Sequence, residues 1–246
     1  MKLVIEHHET LPSTSDRARQ IANLDAPHGS YVVARSQTAG RGRRGRTWHS
    51  PPGAGLYVSF VLRPRIALAK TPLITLAVAV ALHEAVDGPV GLKWPNDLLA
   101  TEGRRKVAGI LVEASSTGEH LQNVIVGIGI NLREYDRPAE IVHYATSLEA
   151  IGCPHEEAPL LERLSQALLT RVDGLTEAIV HPWRDAAIGI GERVELIDGA
   201  AVIAGAFVGV DPTGAIVLDT DSGRVIQNTG ELRLSGAPVP VRSSET

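Results

Sequence analysis

Between Gln37 and Trp48 the chain reads Gln-Thr-Ala-Gly-Arg-Gly-Arg-Arg-Gly-Arg-Thr-Trp, with arginines at 41, 43, 44 and 46 set among Gly40, Gly42 and Gly45. Glycine lets backbone N–H groups approach an anion closely, and guanidinium forks add bidentate, charge-assisted bonds, so the chemistry on offer is recognition of phosphate or carboxylate. Like charges at this density repel one another, which predicts an open loop that an anion would order, with Trp48 as a ring to cover what binds. A second group, Gly91-Leu-Lys93-Trp94-Pro95-Asn96-Asp97, sets a lysine and a carboxylate on either side of a Trp-Pro-Asn turn. It reads equally as a surface ion pair over a turn and as a charged pair at the mouth of a pocket. A third, Arg104-Arg105-Lys106-Val-Ala-Gly109-Ile-Leu-Val-Glu113, puts Lys106 where a turn enters a strand; taken alone it reads more readily as a solvated strand-end lysine than as an ammonium reaching across the sheet end to a phosphate or carboxylate.

Gly40-x-Gly42-x-x-Gly45 also spells the dinucleotide fingerprint. That motif requires a helix to follow, to receive the pyrophosphate. Here the continuation is Arg-Thr-Trp-His-Ser-Pro-Pro-Gly-Ala-Gly, which excludes one.

The elements that must position these groups follow from pattern. Leu3–Ile5, Tyr31–Ala34 and Leu56–Leu62 read as strands, and a helix runs from Pro12-Ser-Thr-Ser-Asp to about Asn23, capped by Ser13, Thr14 or Ser15. Pro72–Val86, with proline near its first turn and apolar residues on nearly every face, reads as a buried helix. Val90–Leu92, Asp97–Leu99, Val107–Glu113 and Leu121–Ile130 are further strands. Leucines at 160, 161, 164, 168 and 169 give a helix over 156–179. Beyond Trp183, expected to pack the two parts of the chain together, come short strands split by Asp-Gly, Asp-Pro-Thr-Gly and Asp-Ser-Gly turns, the pattern of a small SH3-like barrel.

Composition narrows the function. The 246 residues are 43% hydrophobic and 21% charged, enough to bury a core. A net charge of −4 and only nine aromatics (three Trp, four Tyr, two Phe) disfavour nucleic-acid binding, the other common use of glycine–arginine loops. Cys153 is the only cysteine, which excludes an intrachain disulfide and a thiolate zinc cluster. His7-His8 point to opposite sides of a strand, no His-x-x-x-His occurs, and Ser50 lacks a Gly-x-Ser-x-Gly setting. The N-terminus lacks a signal-peptide apolar core, and Pro72–Leu82 falls short of the roughly 20 residues a membrane span needs, so the expected location is the cytoplasm.

In this order the three segments resemble the biotin–protein ligases, enzymes that activate biotin with ATP and attach it to a lysine of a carrier domain. The resemblance covers Ser13–Thr14, Gln37–Trp48, Lys93–Asp97, Lys106–Glu113 and Gly127-Ile-Gly-Ile-Asn131. It implies an α+β fold: a mixed sheet with helices of the class II synthetase-like biotin–lipoate ligase type over residues 1–188 and an SH3-like β-barrel over 189–236; the composition of 237–246 by itself reads as a disordered tail. By that resemblance Lys106 contacts the biotin carboxylate and the α-phosphate. Gly40, Arg41, Gly42 and Arg43 belong to a phosphate-side loop, and Trp48 covers the bicyclic ring. Ser13, Thr14 and Gln37 bind biotin's ureido and carboxylate groups, and the next position, often Asn in the family, is Ser15 here. Asp97 orients the incoming lysine with Lys93 as its charge partner. Asn96 and Gly109 line the site, and Asn131 lies near the adenosine. Mg2+ accompanies ATP, held by phosphates and waters with no dedicated protein cage.

The implied partner is the biotin carboxyl carrier protein or domain of an acyl-CoA carboxylase. A homodimer through sheet edges is compatible with the family; DNA and membrane are not expected partners. Some members carry an N-terminal helix-turn-helix repressor module. With site residues beginning at Ser13, a single-function ligase without that module is expected. A lipoate–protein ligase, with the same fold and reaction type, is the nearest alternative.

Overall fold

The computed structural model describes residues 2–118 and 120–238. Strand β1 (Ile5–Leu11) leads through helix α1 (Thr14–Asn23) to β2 (Ser30–Gln37), which lies parallel to β1. Ser13 takes the extended N-cap conformation (φ −156°, ψ 130°) but its hydroxyl makes no capping bond, which leaves the first turn of α1 facing the site. Strand β3 (Gly55–Leu62) is buried along its whole length. Helix α2 (Thr71–Val86) has Pro72 in its first turn and is followed by β4 (Val90–Lys93), β5 (Asp97–Ala100), β6 (Lys106–Thr117) and β7 (His120–Asn131). The seven strands form one sheet in the order β1-β2-β3-β7-β6-β5-β4, in which every pairing except β1 with β2 is antiparallel.

Alternate residues along the strands serve opposite faces, as the period of two requires. Val32, Val61 and Ile125 meet Ala18, Ile21 and Ala22 of α1. Their neighbours Val33, Phe60 and Val126 join the cluster built around α2 and around α3 (Glu157–Asp173). The apolar stretch proves longer than Pro72–Leu82: Leu68–Val86 is long and apolar enough to cross a membrane by composition, and 61% of it is buried inside the protein. Its apolarity is accounted for by the core, where Leu76, Ala77 and Val80 are all no more than 2% exposed.

The helix expected over 156–179 stops at Asp173. Gly174 has low helical propensity, and Thr176 is extended (φ −134°), so the chain restarts as a 3-10 turn (Glu177–Ile179) and a short helix α4 (Val180–Asp185). Five strands follow: β8 (Arg193–Asp198), β9 (Ala201–Val210), β10 (Ile216–Thr220), β11 (Gly223–Gln227) and β12 (Glu231–Leu234). They make an antiparallel sheet of SH3-like kind, ordered β11-β10-β9-β8-β12. Asp211 Oδ1 closes the Asp-Pro-Thr-Gly turn by accepting from the N–H groups of Thr213 and Ala215.

Two contacts fix the second sheet against the first. Ile188 N–H donates to Leu92 O (2.8 Å) at the β4 edge. Trp94 donates from Nε1 to Gly214 O (3.1 Å), so the Lys-Trp-Pro-Asn-Asp segment is itself anchored to the C-terminal sheet. Trp183 is fully buried on α4, in a core cluster that also contains Leu76, Phe207 and Leu218. Of the tail expected to be disordered, Ala237 and Pro238 are half-buried, and residues 239–246 lie outside the described residues.

Candidate active site

A trough crosses the face of β6 and β7, and its floor is made of glycine. Gly109 pairs directly with Gly129, and the indole of Trp48 lies against both. A β-carbon at Gly129 would sit 2.3 Å from Trp48 Cε2, and one at Gly109 would sit 3.0 Å from both Trp48 Cζ3 and Lys106 Nζ. At Gly127 a β-carbon would come within 2.7 Å of Ser15 Oγ. Glycine inside a strand marks just such a close approach. The trough has a volume of about 460 Å3, is partly open to solvent, and is bounded by the start of α1, Gln37, the arginine loop, Asn96 and Lys106.

One end is polar and neutral. Thr14 donates from its N–H and its hydroxyl to Gln37 Oε1 (2.8 and 3.1 Å). Ser59 Oγ lies 2.8 Å from Thr14 Oγ1 and 3.0 Å from Ser15 Oγ. Each hydroxyl carries one proton, so the consistent order is Ser15 donating to Ser59, Ser59 to Thr14, and Thr14 to Gln37. Gln37 Nε2 then donates to Ser50 Oγ (2.9 Å), and Ser50 to Trp48 O (3.2 Å). A continuous hydrogen-bond chain thus ties the start of α1 to the base of the arginine loop and leaves acceptor lone pairs on Ser15 directed by its neighbours.

The other end is cationic. Lys106 Nζ sits 2.6 Å from Asp97 Oδ1 and 5.4 Å from the centroid of Trp48, while Lys93 Nζ is 3.4 Å from Asp97 Oδ2. Lys106 is therefore the nearer charge partner of Asp97, where the resemblance suggested Lys93. Burial pushes the Asp97 carboxyl up, but Lys106 and then Lys93 outweigh it and hold the group at about 2. A carboxylate whose folded value lies below its ordinary 3.8 contributes stability that is complete above that pH and is lost as pH falls toward about 2. Nearly two units correspond to about 2 kcal/mol. Asp97→Asn is therefore expected to flatten the loss of stability between pH 4 and 2, measured as urea midpoints across that window; parallel pH profiles for both proteins would contradict the assignment.

The loop does not stand open. Each guanidinium has an oxygen partner, which offsets the mutual repulsion. Arg41 meets Asp16 (2.8 Å) and Glu113 (3.1 Å), Arg44 meets Asp198 (2.6 Å), and Arg46 is bonded twice to Glu231. Arg43 alone of the four takes a neutral acceptor, Asn96 Oδ1, at 3.1 Å. Burial lowers its pKa, with Asp97 opposing. A partly desolvated cation bonded to a neutral acceptor and to no carboxylate faces the trough, and that is what an anion would meet. Asn96 is held for this by its own Nδ2, which donates to Ile110 O (2.7 Å). Gly40 closes the loop's base: Trp48 N–H donates to its carbonyl, and a β-carbon there would lie 2.4 Å from Trp48 O. Gly42 has more room, its nearest neighbour for a β-carbon being 3.4 Å away.

Beyond Trp48 lies a second cavity of about 320 Å3, walled by Tyr135, Ile141, Tyr144 and Asn131. Asn131 spends its amide donor on Thr146 O (2.9 Å), fixing the loop that carries Tyr144. Flat aromatic walls beside the charged cluster suit a heteroaromatic ring. Ser13, Thr14, Ser15, Gln37, Arg41, Gly42, Arg43, Trp48, Asn96, Lys106 and Gly109 all line the trough, whereas Asp97 and Lys93 lie in the adjoining cleft with Arg46 and Glu231. Nothing in the sequence singles out Ser59, and Gly127 and Gly129 stand out there only as part of the Gly127-Ile-Gly-Ile-Asn131 segment, with no role given to either. Ser59 is a lone serine in a strand otherwise made of Gly, Leu, Tyr, Val and Phe, and a Gly-Ile-Gly alternation inside a strand is a mark of close packing.

A neutral polar pocket, a cation cluster and an aromatic cavity follow one another on a mixed sheet capped by a small β domain, an arrangement that suits a ligand with a neutral polar head, an anionic junction and a heteroaromatic ring. The sequence agrees: residues 8–131 match the biotin/lipoate A/B protein ligase family and residues 189–232 the biotin protein ligase C-terminal domain. The chain belongs to the biotin protein ligase family. It is 37% identical to the bifunctional ligase/repressor BirA of Bacillus subtilis over 228 residues, covering 88% of this chain and 70% of that one. It is 34% identical to the biotin–[acetyl-CoA-carboxylase] ligase of Paracoccus denitrificans, over 84% of this chain and 91% of that protein. Among solved structures, biotin protein ligase from Aquifex aeolicus in complex with biotin and ATP superimposes with a TM-score of 0.75 at 32% identity, covering 93% of this chain and 97% of that one.

Proposed function

We infer that this chain joins biotin to ATP and passes the biotinyl group to a lysine of a carrier domain. In the first step a biotin carboxylate oxygen attacks the α-phosphorus of ATP, the bond to the β-phosphate oxygen breaks, and pyrophosphate leaves. In the second the carrier amine attacks the acyl carbon, the acyl–phosphate bond breaks, and AMP leaves with the proton taken from nitrogen. The observation that carries this reading is the placing of Lys106 and Arg43 at one end of a trough whose other end is lined by neutral donors and acceptors.

Biotin's ureido ring belongs at Ser15, Thr14 and Gln37, where fixed hydroxyl order supplies acceptors for its N–H groups. Its bicyclic ring lies in the trough beside the Trp48 indole, which itself rests on Gly109 and Gly129. Two anions must meet for the first step, and Lys106 and Arg43 provide the charge that lets them, by positioning and electrostatic stabilisation. An arriving anion competes with Asp97 for Lys106. Release of that contact raises the basicity of Asp97, so the carboxylate becomes a better acceptor for the carrier lysine's proton once the adenylate is in place. Adenosine occupies the cavity beyond Trp48, at Asn131 and Tyr144. Mg2+ travels with ATP. Residues 1–188 act as the catalytic unit and 189–236 as its cap, working in the cytoplasm on the carrier domain of an acyl-CoA carboxylase.

The test is incubation with biotin, Mg-ATP and such a carrier domain, read by mass spectrometry. One biotinyl group on one carrier lysine is expected, together with biotin-dependent ATP–pyrophosphate exchange; absence of both refutes the reading. Lipoate lacks the ureido ring, so the donors and acceptors around Gln37 would be left unpaired by it. Biotin is accordingly expected to raise Tm and lipoate to leave it within about a degree, under the several-kcal/mol stabilisation that saturating ligand gives. An equal or larger shift with lipoate would reassign the substrate.

A further inference from the structure

We propose that Asp198, through Arg44, holds the glycine–arginine loop down over the acyl-adenylate and so sets how long that intermediate stays bound; the proposal rests on the ligase reading above. Asp198 stands at the end of β8, in the turn to β9, 154 residues from its partner. One carboxylate oxygen receives Arg44 Nη2 at 2.6 Å and the other receives Thr229 Oγ1 at 2.5 Å, so the carboxylate is fixed from the turn before β12. Arg44 adopts φ 56° and ψ 36°, a left-handed conformation that a β-carbon disfavours. A non-glycine residue held there in a glycine-rich loop, with its guanidinium on a buttressed carboxylate, marks a contact that shapes the loop.

Arg46, bonded to Glu231 of β12, repeats the arrangement two residues on. Arg41 fastens the other side of the loop to Asp16 of α1 and to Glu113 of β6 in the first sheet. The loop is therefore strapped across the trough from one sheet to the other. Between the straps Arg43 faces inward, onto Asn96. Asp198 lines neither the trough nor the cleft beside it, so it acts on bound adenylate through the loop, as a positioning residue.

The consequence is kinetic. Forming the adenylate needs Lys106 and Arg43, and a loop that is down most of the time keeps Arg43 in place; escape needs the small fraction of time the loop is up, so loosening the strap acts on escape first. An exposed ion pair of this kind shifts an equilibrium by about two- to five-fold. Asp198→Asn is expected to leave biotin-dependent ATP–pyrophosphate exchange within about twofold of wild type. It should speed the escape of biotinyl-AMP by about two- to five-fold, measured with labelled adenylate in the absence of carrier. Escaped adenylate is hydrolysed as water adds to the acyl carbon and AMP leaves, so free AMP should accumulate faster in the variant. Added salt screens exposed charges, so retention should fall with salt in the wild type and less so in the variant.

The double variant Arg44→Asp with Asp198→Arg restores the pair with its charges exchanged. It should return retention to within about twofold of wild type, a rescue that a loss of folding would not allow. Unchanged retention in Asp198→Asn, or no recovery in a double variant that melts normally, overturns the proposal. Should the wild type form no adenylate, the ligase reading fails by itself. Trypsin cleavage at 41–46 of the ligand-free proteins then decides the strap: faster cutting in Asp198→Asn supports it, and equal cutting overturns it.

Discussion

Lys106→Ala is expected to slow biotinyl-AMP formation by about 10²–10³-fold, the usual cost of deleting one preorganised group that stabilises developing charge. The reason lies in where the ammonium sits. Lys106 opens β6 and projects beside Trp48 to within 2.6 Å of Asp97. A biotin carboxylate and an ATP α-phosphate brought to about 4 Å repel by about 4 kcal/mol at an effective dielectric of 20. The lysine offsets that repulsion at the junction of trough and cleft. Its removal also strips Asp97 of its closer partner and leaves Lys93 at 3.4 Å as the remaining lysine contact, so a carboxylate now faces the incoming anions. Part of the loss should therefore be recovered in Lys106→Ala with Asp97→Asn, which removes the stranded charge. Lys106→Arg should recover little, because a planar fork cannot take the place of a compact ammonium. Pyrophosphate exchange measures the first step, and single-turnover transfer from supplied biotinyl-AMP measures the second. Exchange within threefold of wild type would take Lys106 out of the first step.

How far the molecule could be read in advance depended on the sequence distance over which its causes act. The strand Leu56–Leu62 and the buried helix after Pro72 declared themselves through their own residues, since apolar runs and a first-turn proline are local signals. Lys93, Asp97 and Lys106 are visible as charged residues at strand ends, and the structure gathers the two lysines around the Asp97 carboxylate. The helix from Glu156 is legible in its leucines but its end is not, because Gly174 is a weaker local signal than the apolar residues beyond it. The closed arginine loop is hidden from the sequence for a different reason. Repulsion among Arg41, Arg43, Arg44 and Arg46 is a local effect, whereas Asp198 and Glu231, which relieve it, lie 154 and 185 residues away from their partners. No periodicity connects such positions; the β8–β9 turn and β12 carry them to the loop only after the second sheet has packed on the first. Ser59 was hidden similarly, as one hydroxyl in an apolar strand until α1 brought Thr14 and Ser15 over it.

Gly129→Ala is expected to raise the KM for biotin by about 10- to 100-fold, the loss of roughly 1.4–2.8 kcal/mol of binding, with little change in Tm. An added methyl would lie 2.3 Å from Trp48 Cε2 and 2.4 Å from Nε1, closer than real β-carbons approach anything. Something must move. Gly129 is in the middle of β7, paired with Gly109 of β6 on one side and Tyr57 of β3 on the other, so the sheet backbone cannot retreat. Trp48 belongs to a loop whose side chains are half-exposed, and it is the part that gives way. Lifting the indole removes the wall that the bicyclic ring needs and breaks the approach of Lys106 to its face. The protein itself loses little, because the displaced ring is on a surface loop and the core behind β7 is untouched. The two residues should then be non-additive: Gly129→Ala combined with Trp48→Ala should bind biotin no worse than Trp48→Ala alone, since the clash has nothing left to displace. Full additivity of the two losses in a double-mutant cycle would mean that the glycine acts on the ligand directly and not through the tryptophan.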